Sequence, residues 1–197
     1  MKQINITRDS SGNVTFETVS IDTTENVFFT NLDPQEAHWP TLTTNQLGAC
    51  PSPNSSQCPI SAPAILTPPG NQVIYGCKLH ANEKGVINVF AQLAAAKTDL
   101  GSAAKGQKIE AQQVVEGGMP PYNYDGQQFQ VTGAGGKVIS SGSGSIGPGL
   151  TLGTLPGKDG LWVGGTPTMS GTYQFTFNVN DAMGKNLQQV QYSLKVT

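Results

Sequence analysis

Residues 72–90 read QVIYGCKLHANEKGVINVF, and this segment indicates which kind of domain the first half of the chain forms. QVIYGC and VINVF are short segments rich in β-branched and aromatic residues and are bounded by turn residues, which predicts β-strands over 72–77 and 86–90. The KLHANEKG between them has the polar residues and the glycine of a surface loop. Cys77 therefore ends one strand, and His80 lies in the loop that follows it.

Short alternating stretches separated by turn residues also occur on both sides of this segment. Residues 3–30 predict three strands, whereas residues 32–72 are rich in Pro, Ser and Asn and are expected to form a long loop. A second series of strands follows: KIEAQQVV, QQFQVTG, KVISSG, LWVGG, GTYQFTFNVND and NLQQVQYSLKV. We predict an all-β protein of two β-sandwich domains, 1–92 and 108–197, joined by an Ala, Gly, Ser and Lys-rich linker at 93–107.

The composition favours strands and turns and argues against several classes of function. Charged residues make up only 12% of the chain, about half the usual share, while it contains 24 Gly and 13 Pro. A net charge of −2 without clustered Lys and Arg argues against a nucleic-acid partner. No apolar stretch approaches the roughly 20 residues that span a bilayer. The chain also lacks a Gly-x-Ser-x-Gly elbow, and its glycine-rich stretches do not precede a helix, which argues against hydrolases and nucleotide binding.

The three cysteines differ in their surroundings. Cys50 and Cys58 share the loop ACPSPNSSQCP, and we interpret them as a disulfide, with reduced thiols or a second metal site as the alternatives. A disulfide indicates an oxidising compartment, so we expect a periplasmic or extracellular protein whose export signal has been removed. Cys77 then remains unpaired. An odd thiol in an exported protein is either a reactive group or a metal ligand.

Both histidines of the chain are placed where they could join Cys77 at a metal. His80 follows Cys77 by three residues, and His38 lies in the long upstream loop. One thiolate and two imidazoles form the trigonal set that a mononuclear blue-copper site requires, because soft sulfur stabilises Cu(I) and imidazole suits both oxidation states. We therefore predict that loops at one end of the first sandwich bring His38, Cys77 and His80 together.

The first domain resembles a plastocyanin-like cupredoxin. The segment FFTNLDPQEAHWP supplies the first histidine of that family, and Tyr-Gly-Cys-x-x-His stands near the domain end. Many members close with Cys-x-x-His-x-x-Met-x-Gly-x-Ile-x-Val, and this chain matches each landmark except the methionine, which is Glu83. The resemblance implies a Greek-key sandwich with one copper ion, His38, Cys77 and His80 as equatorial ligands, Glu83 at the axial position, and one-electron transfer.

Two departures from that family change the expected chemistry. A carboxylate at position 83 is a harder donor than a thioether, so it should stabilise Cu(II), lower the reduction potential and give a red or green colour instead of blue. The alternative is that Glu83 points to solvent. The residue after His38 is Trp39 and not the asparagine that commonly braces the ligand loops in plastocyanins. Trp39 either covers the metal, offers an aromatic docking surface, or packs as a core tryptophan.

Other interpretations of the same residues stay open. Cys, His, His and Glu also form a tetrahedral zinc set, and a closed zinc site would be structural and redox-silent. A second hypothesis is accordingly a surface interaction or adhesion protein with structural zinc or no metal. A third is a copper enzyme, which needs an open coordination position. We favour the electron carrier, which is not an enzyme and which needs a redox partner protein that the sequence does not identify.

The second domain resembles the immunoglobulin-like repeat of bacterial surface proteins. The resemblance rests on GGMPPYNY, PGLTL and VGGTPTMSGTYQFTFNVNDAMGKN, and it implies a spacer, adhesion or carbohydrate-contacting role at the cell envelope without catalytic residues. The alternation in its main strand predicts that Tyr173, Phe175, Phe177 and Val179 point inward. Residues 181–184 are predicted to form a hairpin turn that Asp181 caps, in preference to binding calcium.

Overall fold

The computed structural model describes residues 2–42, 58–59 and 72–197, and it divides the chain into an N-terminal unit, Met1–Ala91, and a C-terminal unit, Gln92–Thr197. Strands and turns make up the described residues, with a short 3-10 turn at Ala134–Gly136. The prediction of an all-β protein is therefore confirmed. In these parts of the chain, no helix has the length and apolar character needed to cross a membrane.

The N-terminal unit consists of two four-stranded sheets. Its strands in the described residues are β1 (Lys2–Arg8), β2 (Val14–Phe16), β3 (Val19–Asp22), β4 (Val27–Asn31), β5 (Pro40–Leu42), β6 (Cys58–Pro59), β7 (Gln72–Cys77) and β8 (Lys84–Phe90). The strand orders are β2-β1-β4-β6 and β3-β8-β7-β5. The pairs β1–β4 and β3–β8 are parallel, and the other pairs are antiparallel.

The core of this unit lies between its two sheets. The ring of Tyr75 on β7 contacts Phe29 on β4 and Phe16 on β2, with centroid distances of 5.0 and 5.6 Å. Its hydroxyl donates to the carbonyl oxygen of Glu17 at 3.1 Å. Gly85 on β8 makes room for this ring, since a Cβ atom there would lie 2.3 Å from it. The inward face of β7 thus anchors the strand that ends at the predicted metal ligand.

The predicted strands 72–77 and 86–90 are confirmed as β7 and β8. The stretch 3–30 contains four strands instead of the predicted three, because the chain changes sheets after Phe16: β2 pairs with β1, whereas β3 pairs with β8. The expected long loop contains β5, which pairs with β7. The predicted disulfide lies outside the described residues, since Cys50 and the side chain of Cys58 are not among them.

The C-terminal unit also has two sheets. Its strands are β9 (Ala94–Ala95), β10 (Asp99–Ala103), β11 (Ile109–Glu116), β12 (Asn123–Thr132), β13 (Val138–Ser143), β14 (Leu150–Gly153), β15 (Leu161–Gly165), β16 (Gly171–Asn180) and β17 (Asn186–Val196). The sheet orders are β10-β17-β16-β12-β13 and β14-β15-β11-β9. Residues 93–107, predicted as a linker, instead contain two strands of this unit: β9 pairs with β11, and β10 pairs with β17.

The core of the C-terminal unit follows the predicted alternation of β16. Tyr173, Phe175, Phe177 and Val179 are all buried. The Tyr192 hydroxyl on β17 donates to the Val114 carbonyl oxygen on β11 at 3.2 Å, which links the two sheets.

The turn after β16 is capped as predicted. The Asp181 carboxylate accepts hydrogen bonds from the backbone N–H groups of Met183, Lys185 and Met119 at 2.8 to 3.0 Å. Two of these donors belong to the turn and its following residue, and Met119 ties the turn to the segment before β12.

Candidate metal centre

The pairing of β5 with β7 brings His38 close to Cys77. Pro40 lies opposite Cys77 in this antiparallel pair, and the Lys78 N–H donates to the Trp39 carbonyl oxygen at 2.8 Å. His38 precedes Pro40 by two residues, so the register of the pair fixes its position beside Cys77. The backbone of Trp39 thus joins the segment that contains His38 to the turn that follows Cys77.

The turn between β7 and β8 supplies the other three residues. The Cys77 N–H donates to the Glu83 carbonyl oxygen at 3.0 Å, and the Glu83 N–H donates to the His80 carbonyl oxygen at 3.2 Å. These bonds close the loop tightly. Cys77, His80 and Glu83 therefore project to the same side.

The four predicted metal ligands converge. One ligand atom from each of His38, Cys77, His80 and Glu83 lies within 4.8 Å of all the others. Glu83 Oε2 is 2.9 Å from His38 Nδ1 and 3.1 Å from His80 Nδ1. Cys77 Sγ is 3.5 Å from His80 Nδ1 and 4.0 Å from His38 Nδ1. Both imidazoles thus present Nδ1 to the centre, and Glu83 points toward them and not to solvent.

The Cys77 thiol is buried and forms no disulfide. Burial raises its pKa above the usual range of a cysteine, although backbone N–H groups of Trp39, Leu79 and His80 oppose this change. The Trp39 N–H, for example, lies 3.3 Å from Sγ. A thiol with a raised pKa keeps its proton at neutral pH in the absence of metal, so metal binding must release that proton and should strengthen as pH rises.

The four residues of the centre differ in their exposure among the described parts of the chain. The His38 side chain is fully buried and contacts the Phe16 ring edge-on, whereas the His80 side chain is 33% exposed and that of Glu83 is 13% exposed. The Lys78 ammonium lies 4.4 Å from the centroid of the Trp39 ring, next to the loop. His80 is thus the most exposed of the four residues.

Three charged residues that the sequence reasoning missed surround the histidines. Asp33 Oδ2 is 2.8 Å from His38 Nε2, and Glu36 Oε2 is 3.7 Å from His80 Nε2. Arg8 pairs with both carboxylates, at 2.7 and 2.6 Å. The Arg8 guanidinium holds the pKa of Asp33 well below its usual range. Arg8 is the only arginine of the chain, and this is the one feature of the sequence that could have indicated a special role for it.

The donor set fits a soft or borderline divalent ion. One sulfur, two imidazole nitrogens and one carboxylate oxygen are ligands for copper and for zinc. The thiolate of Cys77 and the carboxylate of Glu83 would together balance the charge of such an ion. A scan against protein-family models gives no match, and a search of the curated proteins finds no significant similarity. The assignment of a metal centre therefore depends on the geometry of these four residues.

Proposed function

We propose that the N-terminal unit binds one copper ion through His38, Cys77, His80 and Glu83 and transfers single electrons. The observation that carries this proposal is the convergence of the four ligand atoms within 4.8 Å, with a buried thiol among them. When bound, copper would alternate between Cu(II) and Cu(I) at this position. The motif of residues 77–89 and the two facing sheets support a cupredoxin-like domain, as the resemblance implies.

The surroundings of the ligands suit electron transfer better than catalysis. His38 is fully buried, and the loop that holds Cys77 is closed by backbone hydrogen bonds. Ligands fixed in this way change position little between oxidation states, which favours fast electron exchange. The partly exposed His80 provides the edge at which a redox partner protein would dock.

Glu83 sets the expected properties of the copper centre. Its carboxylate is an anionic oxygen donor, which favours Cu(II) over Cu(I) and so lowers the reduction potential. Its position between the two Nδ1 atoms supports its role as a ligand. We expect a red or green protein instead of a blue one.

Zinc is the second candidate, and the inward position of Glu83 is the observation that favours it. With the carboxylate included, the centre offers four protein donors, which is the number that structural zinc takes. The N-terminal unit would then have a structural site, and the protein would act as a surface interaction or adhesion module.

Titration of the metal-free protein with Cu(II) distinguishes these candidates. We expect an intense visible thiolate-to-copper band that reaches its maximum at one equivalent and is missing in Cys77→Ser. The matched control is the double variant Cys50→Ser/Cys58→Ser, which should keep the band because it leaves the four ligands unchanged. A wild-type protein that stays colourless with Cu(II) but binds one zinc would contradict the copper proposal and support the structural site.

The proposed setting is the periplasm or the extracellular space. It is supported by the predicted pairing of Cys50 with Cys58 and by the resemblance of residues 108–197 to bacterial surface repeats. The C-terminal unit would then act as a spacer or as a contact to envelope carbohydrate.

A further inference from the structure

Each histidine of the metal centre has a carboxylate at the ring nitrogen that faces away from the ligand atoms. The Nε2 atom of His38 is 2.8 Å from Asp33 Oδ2, and both side chains are fully buried. The Nε2 atom of His80 is 3.7 Å from Glu36 Oε2 at the exposed edge. Both imidazoles thus have Nδ1 inward and a carboxylate outside, but only the Asp33–His38 pair lies within hydrogen-bond distance.

A single guanidinium joins these two carboxylates. Arg8 donates from Nε and Nη2 to Asp33, at 3.0 and 2.7 Å, and from Nη2 to Glu36 at 2.6 Å. Only the planar guanidinium of arginine has several donors in a fixed fork, so a lysine at this position could not pair with both groups in the same way. The one arginine of the chain therefore pairs with the two carboxylates that lie next to the histidines.

Residues that neighbour them in the chain also hold Asp33 and Glu36 through hydrogen bonds. The Gln35 N–H donates to Asp33 Oδ1 at 2.9 Å, and the Asn31 side chain accepts from the Asp33 N–H at 3.0 Å and donates to the Glu36 carbonyl oxygen at 2.9 Å. A buried carboxylate without a cation would be strongly destabilising, which explains why Arg8 must accompany Asp33. Asp33 is thus held in one orientation toward His38.

We infer that Arg8, Asp33 and Glu36 form an outer network that positions both histidine ligands and favours the divalent state of the bound metal, an inference that rests on the proposed metal function. With a metal held at Nδ1, the proton of the His38 ring would be on Nε2, where the Asp33 carboxylate accepts it and fixes the orientation of the ring. Glu36 would act on His80 through its charge, at 3.7 Å. The negative charge of each carboxylate also makes the neighbouring imidazole a stronger donor, which stabilises Cu(II) more than Cu(I). The three residues are positioning residues and touch no metal themselves.

The first test is Asp33→Asn in the full chain, which keeps the shape of the side chain and removes its charge. We expect the affinity for Zn(II), measured by competition with a chelator, to fall about 10- to 100-fold. The affinity for Cu(II) should fall more than that for Cu(I), and a tenfold difference between the two corresponds to a rise in reduction potential of about 59 mV. Glu17→Gln is the matched control, because Glu17 is an exposed carboxylate of the same unit that contacts Asn5.

A second variant and a second measurement separate positioning from folding. Glu36 is 47% exposed, so Glu36→Gln should leave the thermal unfolding of the metal-free protein unchanged while it weakens Zn(II) binding and raises the reduction potential to a smaller extent. In NMR spectra of the zinc-loaded protein, the His38 Nε2–H proton should give a slowly exchanging signal that Asp33→Asn shifts or removes.

The outcomes are distinct for the two proposals. If the wild type binds neither Cu(II) nor Zn(II) through Cys77, the proposed function fails and this inference fails with it. If the wild type binds metal but Asp33→Asn and Glu36→Gln match Glu17→Gln in affinity and potential, the outer network has no positioning role and only the inference is overturned.

Discussion

The carboxylate of Glu83 lies between two imidazole nitrogens, 2.9 Å from His38 Nδ1 and 3.1 Å from His80 Nδ1. In the cupredoxin motif that residues 77–89 resemble, a methionine occupies this position. A thioether is a softer, uncharged donor, and it stabilises Cu(I) relative to a carboxylate. The identity of one side chain should therefore determine much of the reduction potential and of the colour.

We expect Glu83→Met to raise the reduction potential by more than about 59 mV, which is a tenfold change in the relative affinity for the two copper ions. The visible spectrum should shift toward that of a blue site. Glu83→Gln is the control for side-chain length, and it should raise the potential without producing the blue spectrum. Equal potentials and spectra in wild type and Glu83→Met would mean that Glu83 is not a ligand.

At the scale of single residues, the cluster of His38, Cys77, His80 and Glu83 could be predicted from the sequence, but the residues around it could not. Cys77 and His80 have a characteristic spacing, and His38 is the one remaining histidine. Arg8 and Asp33, in contrast, are 25 positions apart and belong to no motif. The parallel pairing of β1 with β4 sets Ile6 beside Asn31. Arg8 and Asp33 each follow these residues by two positions, so the pairing brings them together.

Among the elements, β7 and β8 connect the core of the N-terminal unit to the metal centre. Tyr75 and Cys77 point to the same side of β7, and both are buried. Gly85 faces the Tyr75 ring so closely that an added Cβ would lie 2.3 Å from it. Core packing and ligand position therefore depend on the same two strands.

Gly85→Ala should destabilise the metal-free protein by about 1–3 kcal/mol, because the ring of Tyr75 must move to make room for the methyl group. Urea denaturation followed by circular dichroism measures this change. The control is the same substitution in a Tyr75→Leu background, where the free-energy cost should be smaller because the ring is gone. An equal cost in both backgrounds would show that the ring contact is not the cause.

Strands with strong alternation could be predicted, and short strands of small residues could not. The inward side chains of β16 follow the sequence pattern from Tyr173 to Val179. The strands β9 and β10 have little apolar patterning, since Leu100 is the only buried side chain in them, and they are held by backbone pairing with β11 and β17. Such segments look like a linker because backbone hydrogen bonds leave no mark on the side-chain pattern.

Across the whole molecule, each of the two units has its own buried core and its own tryptophan. Trp39 lies beside the metal centre, and Trp162 lies on β15 in the C-terminal unit. A ligand stabilises the folded part that binds it, by about 2.7 kcal/mol at a hundred times its dissociation constant. Metal binding should therefore stabilise one unit selectively.

We expect Zn(II) to raise the unfolding midpoint of the N-terminal unit and not that of the C-terminal unit. The variant Trp162→Phe leaves Trp39 as the only tryptophan reporter. The loss of the Trp162 indole should be tolerated because its Nε1 atom is buried and has no hydrogen-bond partner among the described residues. Trp39→Phe leaves Trp162 as the reporter and keeps the backbone N–H that donates to Cys77. Equal shifts in both variants, measured by fluorescence during thermal unfolding, would contradict a site confined to the N-terminal unit.

The most direct test of the metal centre is X-ray absorption at the copper edge of the full chain loaded with one equivalent of copper. The geometry of His38, Cys77 and His80 predicts one sulfur scatterer and two imidazoles around a single ion, and it predicts that Cys77→Ser removes the sulfur. A spectrum of nitrogen and oxygen scatterers alone in the wild type would contradict the proposed centre.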